Sequence, residues 1–153
     1  MRLSKRGEYG IRALLHLAER AKEPQPLISL QALAEKENIP VKFLEQIMIP
    51  LRNAGLVHTQ KGPGGGYKLA KPAEQIFIGS IIRILDGMLA PVTCVSKTAY
   101  APCDCPDEKS CGLRMVMADV RDAITAILDN TTLASIVQRR SLLLSSQEDS
   151  NDP

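Results

Sequence analysis

Apolar residues recur at three- and four-residue spacing through the first third of the chain. Ile11, Leu14, Leu15 and Ala18 line one face of a first helix, which Ser4 caps and which runs to about Ala21. Pro24 and Pro26 mark a connector. Ser29 caps a second helix, about Leu30–Glu37, with Leu30, Leu33 and Ala34 as its buried stripe. After the short turn Asn38-Ile39-Pro40, a third helix over about Val41–Asn53 buries Leu44, Ile47, Met48 and Leu51. Pro50 should kink or tighten its last turn, and Gly55 should close it in a left-handed conformation.

The pattern then changes. Residues 56–60 read as a strand, Lys61-Gly62-Pro63-Gly64-Gly65-Gly66 as a sharp loop, and Tyr67-Lys68-Leu69-Ala70 as a return strand. Two short helices across a tight turn followed by a hairpin predict a winged helix-turn-helix. Residues 76–85 form a linking helix. The segment 90–111, with Pro91, Pro102 and Pro106, is an irregular loop. From Gly112 the helical period returns, and Leu113, Val116, Met117, Val120, Ile124, Ile127 and Leu128 trace a stripe to about Asp129. Thr131 or Thr132 caps a short last helix with Leu133, Ile136 and Val137, and the tail from Ser141 is expected to fray.

The expected fold is thus mainly α with a small β wing. A DNA-binding winged domain spans 1–70 and a linking helix 71–89. A cysteine-rich loop spans 90–111, a dimerisation helix with a short final helix 112–140, and a flexible tail 141–153. The long stripe is more apolar than one small domain can cover. Part of it packs on its own chain, and the excess points to a twin helix across a twofold axis, hence a homodimer.

Composition narrows the class. With 44% hydrophobic residues in 153, the chain can bury a core, and with 3% aromatics and no Trp that core is aliphatic. No run approaches the roughly 20 apolar residues that span a bilayer. Met1-Arg2-Leu3-Ser4-Lys5-Arg6 is followed by no apolar signal core, so a cytoplasmic protein without a membrane partner is expected. The net charge of +2 divides into +5 over residues 1–70 and −3 over residues 71–153, so the first half suits an anionic partner. No nucleophile elbow, metalloprotease motif or Ser-His-Asp set is present, and an enzyme is not expected.

The third helix and wing supply the chemistry for double-stranded operator DNA. Lys42, Phe43, Glu45 and Gln46 face outward at the N-terminal end of the third helix, where a recognition helix meets base edges. Gln46 suits adenine and Glu45 the cytosine amino group. Lys5, Lys42 and Arg52 suit phosphates. In the wing, Lys61 with Gly62, Gly64, Gly65, Gly66 and Tyr67 brings backbone amides and a cation close to the duplex. The glycine run lacks the Gly-Lys-Ser/Thr ending and following helix of a P-loop. His16 is read as structural and His58 as solvent-facing.

Arg6-Gly7-Glu8-Tyr9-Gly10, Phe43-Leu44-Glu45-Gln46, Leu51-Arg52-Asn53-Ala54-Gly55-Leu56-Val57 and Lys61-Gly62-Pro63-Gly64-Gly65-Gly66-Tyr67 resemble the IscR, NsrR, RirA and CymR (Rrf-two) family of bacterial winged helix-turn-helix regulators. The resemblance covers about residues 1–139, and the wing phrase is its most specific part. It implies a homodimer that binds an operator, with Glu45, Gln46 and Lys61 where the family reads DNA. It also implies a cysteine-ligated iron–sulphur cluster, [2Fe–2S] or [4Fe–4S], held in the loop before the long helix. Cluster-binding members carry three cysteines there, and the gap Cys105-x5-Cys111 matches. Cys103 is extra to that pattern. The IscR-type histidine three positions after the last cysteine is replaced by Arg114. Some members take a carboxylate near the N-terminus of the partner subunit, and Glu8 stands at that place. Two ligand sets stay open: Cys94, Cys105 and Cys111 with Glu8 of the other chain, or all of Cys94, Cys103, Cys105 and Cys111.

Clustered cysteines in a reducing compartment read as metal or redox chemistry before disulfides. Structural zinc prefers paired Cys-x2–4-Cys units, which are absent, so an iron–sulphur cluster suits the spacing better than zinc. The expected function is a transcription regulator that senses cluster, redox, nitric oxide or iron status. The alternatives are a cluster-free regulator controlled by a protein partner, as in the CymR type, and a zinc-stabilised interaction module.

Overall fold

The computed structural model describes residues 2–150. Six helices and one hairpin follow in order: α1 Lys5–Arg20, α2 Leu30–Glu37, α3 Val41–Asn53, β1 Val57–Gln60, β2 Gly66–Leu69, α4 Ile78–Asp86, α5 Gly112–Leu128 and α6 Leu133–Ser150. Single 3-10 turns occur at Ala73–Gln75 and Thr93–Val95.

Local chemistry sets the boundaries. The Ser4 hydroxyl accepts from the Gly7 amide at 3.0 Å, and the Ser29 hydroxyl accepts from the Ala32 amide at 3.1 Å, so both helices begin on a side-chain cap. Asn38 closes α2 with φ +53, a left-handed conformation that asparagine tolerates. Pro50 does not interrupt α3. Its carbonyl accepts from the Ala54 amide at 3.0 Å, and Gly55 turns the chain with φ +77.

β1 and β2 pair antiparallel, Val57 opposite Leu69 and Gln60 opposite Gly66. Ile28 adds a bridge to Tyr67 on the other edge, with amide–carbonyl distances of 3.1 and 2.8 Å. A Cβ at residue 66 would collide with the Ile28 carbonyl, so the bridge requires Gly66.

The core does not end at residue 70. Leu14, Leu17, Leu33, Leu44, Ile47, Met48 and Leu51 from the first three helices pack with Ile76, Ile81 and Leu133, all fully buried. α4 and α6 therefore complete the hydrophobic core of the winged domain. At α1, the Ser4 hydroxyl donates to Asp86 at the end of α4, and the Ser4 amide donates to the same carboxylate at 3.4 Å. Arg140 of α6 pairs with Glu19 of α1 at 3.0 Å.

The last helix differs from expectation. It extends to Ser150, where the sequence pattern suggested a short helix and a fraying tail from Ser141. Residues 151–153 of that tail lie outside the described residues. No Gly or Pro interrupts 133–150. The hydroxyls of Ser145, Ser146 and Ser150 donate to the carbonyls four residues back, at 2.9–3.0 Å. Serines that looked like loop formers are thus absorbed by the helix.

Candidate nucleic-acid interface and cysteine centre

α3 turns Leu44, Ile47, Met48 and Leu51 inward, which leaves Lys42, Phe43, Glu45, Gln46 and Arg52 exposed on its other side. Phe43 packs edge-on against Tyr9 of α1, with ring centroids 5.6 Å apart. Lys5 and Arg12 flank the same Tyr9 ring at 5.5 and 5.4 Å. The N-terminal turn of α3 and the first turns of α1 therefore share a cationic and aromatic surface.

In the wing, Lys61, Gly62 and Gly64 are exposed at the tip. Gly64 has φ +74, a conformation that glycine adopts without strain. The Gly62 carbonyl accepts from the Gly65 amide at 3.0 Å, which closes the turn. Gly65, Gly66 and Tyr67 of the expected DNA-contacting set are less exposed than the wing tip, and Tyr67 differs most from expectation. It is half-buried and packs against the core, because its backbone is the one that pairs with Ile28.

The loop 90–111 is more ordered than its prolines suggested. Its 3-10 turn buries Cys94, Val95 and the following Ser96. The Ser96 hydroxyl accepts from the Ala99 amide at 2.9 Å, and Tyr100 donates to Glu108 at 2.9 Å. Two arginines of α5 brace it. Arg114 donates to the Cys94 carbonyl at 3.3 Å and pairs with Glu108 at 3.4 Å. Arg121 donates to the Val95 carbonyl at 2.7 Å. Neither brace was read from the sequence, where Arg114 figured only as an absent histidine. The available signal was spacing, since residues seven apart share a helix face.

All four cysteines are free thiols. The Sγ atoms of Cys105 and Cys111 lie 3.9 Å apart. Their environments differ. Hydrogen bonding with Cys103 and then Cys111 pushes the Cys105 thiol up to about 12. Burial raises Cys94. Cys111, immediately before α5, is lowered, chiefly by the Arg114 backbone amide in the first turn of that helix.

Among the described residues, no group of three or more His, Cys, Asp or Glu side chains is arranged to hold a metal ion. The donors the loop offers are soft sulfurs, of which Cys105 and Cys111 lie together. That donor chemistry fits a polynuclear iron–sulphur core better than one hard ion. Glu8 is on α1, paired with Lys5 at 3.1 Å and near Arg12 at 4.0 Å. His16 bonds Glu37 through Nδ1 at 2.9 Å, and His58 is exposed in β1.

α5 carries two seams. Arg114, Met117, Arg121, Ile124 and Leu128 are half-buried, with Ile124 and Leu128 packed on the core. Leu113, Val116 and Ile127 are 62%, 55% and 65% exposed, and with Val120 and Ala123 they repeat at alternating three and four residues. The expected dimerisation stripe is therefore divided, with Ile124 and Leu128 packed on their own chain and Met117 and Val120 half-buried between the two sides. One further contact was not foreseen. Arg83 of α4 and Asp129 after α5 form a two-pronged ion pair at 2.7 and 2.8 Å. A Cβ at Gly79 would fill the space that Asp129 occupies.

Comparison with known proteins follows the same outline. The family model described as "Rrf2: Iron-dependent Transcriptional regulator" matches residues 3–139. The rrf2-like HTH-type transcriptional regulator of Rhodobacter capsulatus is 36% identical over 137 residues, 88% of this chain and 91% of the relative. The HTH-type transcriptional regulator IscR of Serratia proteamaculans is 33% identical over 153 residues, 99% of this chain and 88% of the relative. The solved structure of CymR (YrzC), the global cysteine regulator of B. subtilis, superposes with a TM-score of 0.75 at 33% identity, covering 91% of this chain and 98% of that one. These relatives are transcription regulators and not enzymes. No described helix is long and apolar enough to cross a membrane.

Proposed function

This chain belongs to the Rrf2 family of transcriptional regulators, and we propose that it reads operator DNA as a homodimer and senses through an iron–sulphur cluster in the loop 90–111. The observation that carries the sensing half is the approach of the free thiols Cys105 and Cys111 in a loop that also holds Cys94 and Cys103 and is braced on α5 by Arg114 and Arg121.

In this reading α3 enters the major groove. Gln46 and Glu45 address base edges, Phe43 offers an apolar edge, and Lys42, Arg52 and Lys5 meet phosphates. Lys61 and the wing glycines Gly62, Gly64, Gly65 and Gly66 approach the neighbouring backbone. The Tyr67 ring supports the wing from the core side.

Dimerisation uses the outer seam of α5, Leu113, Val116, Val120 and Ile127. Its heptad spacing and exposure favour a twin helix, and Met117, Ile124 and Leu128 stabilise the seam from behind. Cys94, Cys105 and Cys111 are cluster ligands. A bound cluster supplies iron–sulphide bonds that oxygen, nitric oxide or iron shortage can break. The chain's own part is mechanical. The loop reports to α5 through two arginines, and α5 sets the separation of the two recognition helices. Sensing is then a population shift between DNA-binding geometries.

The test is anaerobic purification with iron and sulphide analysis, followed by operator selection with loaded and cluster-free protein. A red-brown protein whose two forms differ in operator affinity is expected. A chromophore with equal affinity in both forms would remove the cluster as the switch and favour control by a partner protein. A colourless zinc protein without operator preference would leave an interaction module.

A further inference from the structure

We propose that Cys105 and Cys111 are a redox pair that closes into a disulfide within one chain when a hydroperoxide reaches the metal-free loop. The pair stands apart from the cluster reading above. Only its effect on cluster loading rests on that reading.

The sulfurs are already close. All four cysteines are free, and the Sγ atoms of Cys105 and Cys111 lie 3.9 Å apart. A disulfide bond is about 2.05 Å, so roughly 2 Å remain to be closed. The turn between them is also formed in advance. The Asp107 carboxylate accepts from the Lys109 amide at 3.0 Å and from the Ser110 hydroxyl, and the Cys111 amide donates to the Glu108 carbonyl at 3.4 Å. Closing the ring over 105–111 therefore costs little further chain entropy. Access separates the pair from Cys94. Cys105 and Cys111 are half-buried, whereas Cys94 is buried with Val95, away from a dissolved oxidant. Cys103 is half-buried too, but the sulfur that Cys105 meets is that of Cys111. The bond would tie the loop to the residue immediately before α5, next to the outer seam that begins at Leu113.

One sulfur attacks a peroxide oxygen, the O–O bond breaks, and a sulfenic acid and one water form. The second sulfur attacks the first, the S–S bond forms, the S–O bond breaks and a second water leaves. Two thiols and one hydrogen peroxide thus give one disulfide and two waters. Sulfurs bonded to each other are not thiolates, so the disulfide and a cluster on the same pair exclude one another.

Lys109 lies between the two cysteines, so trypsin parts residues 98–109, which hold Cys103 and Cys105, from residues 110–114, which hold Cys111. The full chain, reduced and freed of metal, is treated anaerobically with equimolar hydrogen peroxide. Free thiols are counted and then alkylated, the chain is run on a non-reducing gel, and the tryptic peptides are weighed. Parent, Cys103→Ser, Cys105→Ser and Cys111→Ser are compared, with circular dichroism to confirm that each folds.

The expected result is loss of two thiols, a single-chain band, and peptide 98–109 joined to 110–114 in the parent and in Cys103→Ser. The link is absent from Cys105→Ser and Cys111→Ser, and dithiothreitol releases it. Retention of all four thiols overturns the inference. So does a link that survives Cys105→Ser but not Cys103→Ser, a link to Cys94, or a disulfide found only between chains. Ferrous iron and sulphide are then offered to the oxidised parent, and cluster uptake is expected only in chains whose link has been reduced. A chromophore formed with the link intact removes the effect on loading. A reduced parent that takes up neither iron nor sulphide defeats the cluster reading and leaves the disulfide standing.

Discussion

Gln46 and Lys61 are both exposed polar residues on the basic half of the chain, yet they answer different questions about DNA. Gln46 extends from the N-terminal part of α3, where an amide pairs with one base edge. Gln46→Ala should relax base preference at one operator position, costing about 1–3 kcal/mol there. Lys61 sits at the wing tip on a glycine turn, where the proposed docking would bring it to phosphates. Lys61→Ala should weaken binding across sequences and flatten its salt dependence. Fluorescence anisotropy on a selected operator and its single-base variants, at several salt concentrations, separates the two. If both variants bind like the parent, α3 is not in the groove. Asp129 makes a different kind of statement. The Arg83 hydrogen bonds hold its carboxyl below the usual aspartate range, with burial working the other way. A depressed carboxylate stabilises the fold above its unfolded pKa, about 3.9, and that contribution fades as pH falls through the folded value. Parent and Asp129→Asn should therefore differ in thermal midpoint at pH 7 and converge below roughly pH 4. A difference that persists unchanged into acid would show that the ion pair is not its source.

At the scale of elements, α5 bears the most specific expectation. Its inner seam is occupied by its own chain, so a substitution there tests folding as much as assembly. Ile124→Glu, on the half-buried side, mixes the two effects. Ile127, 65% exposed, does not. Ile127→Glu or Val116→Glu should leave circular dichroism unchanged and shift sedimentation toward the monomer, because the dimer seam would bury unpaired carboxylates. A folded dimer of both variants would move the interface elsewhere. The order of elements was legible because each carries a local signal: a serine cap, a 3.6-residue period, a glycine turn. The split of the α5 stripe was not, since all seven apolar positions look alike until the loop 90–111 is seen to cover one side. The extent of α6 was hidden for a related reason. Its serines bond back to their own helix, which composition alone reads as fraying. In the cysteine loop, the approach of Cys105 and Cys111 agrees with their close spacing in the sequence. The bracing of the loop was not, because Arg114 and Arg121 reach backbone carbonyls, which have no sequence identity.

Across the whole molecule, the contacts form a continuous route from the cysteine loop to the surface proposed to face DNA. The carbonyls of Cys94 and Val95 are held by Arg114 and Arg121 on α5. The end of α5 is held to α4 by Asp129 and Arg83. The end of α4 receives the N-terminus of α1 through Asp86 and Ser4. Tyr9 of α1 then meets Phe43 at the start of α3. Adjacency alone does not make such a route a conductor, and the physical requirement is an element whose two arrangements both ends bias. The Arg83–Asp129 pair is the point to cut, because it joins the two halves without touching sulfur or the DNA-facing surface. In the parent, loaded and cluster-free forms should differ in operator affinity by about 1–3 kcal/mol, the usual size of an allosteric coupling. Cys94→Ala with Cys111→Ala should abolish the chromophore and hold the protein at the cluster-free affinity. Arg83→Ala should keep the chromophore and keep operator binding, yet shrink the difference between the two forms. Measuring all four affinities, parent and Arg83→Ala, each loaded and free, isolates the coupling from any general loss of stability. An Arg83→Ala protein whose two forms differ as much as the parent's would show that the signal bypasses α4 and passes through the dimer seam directly.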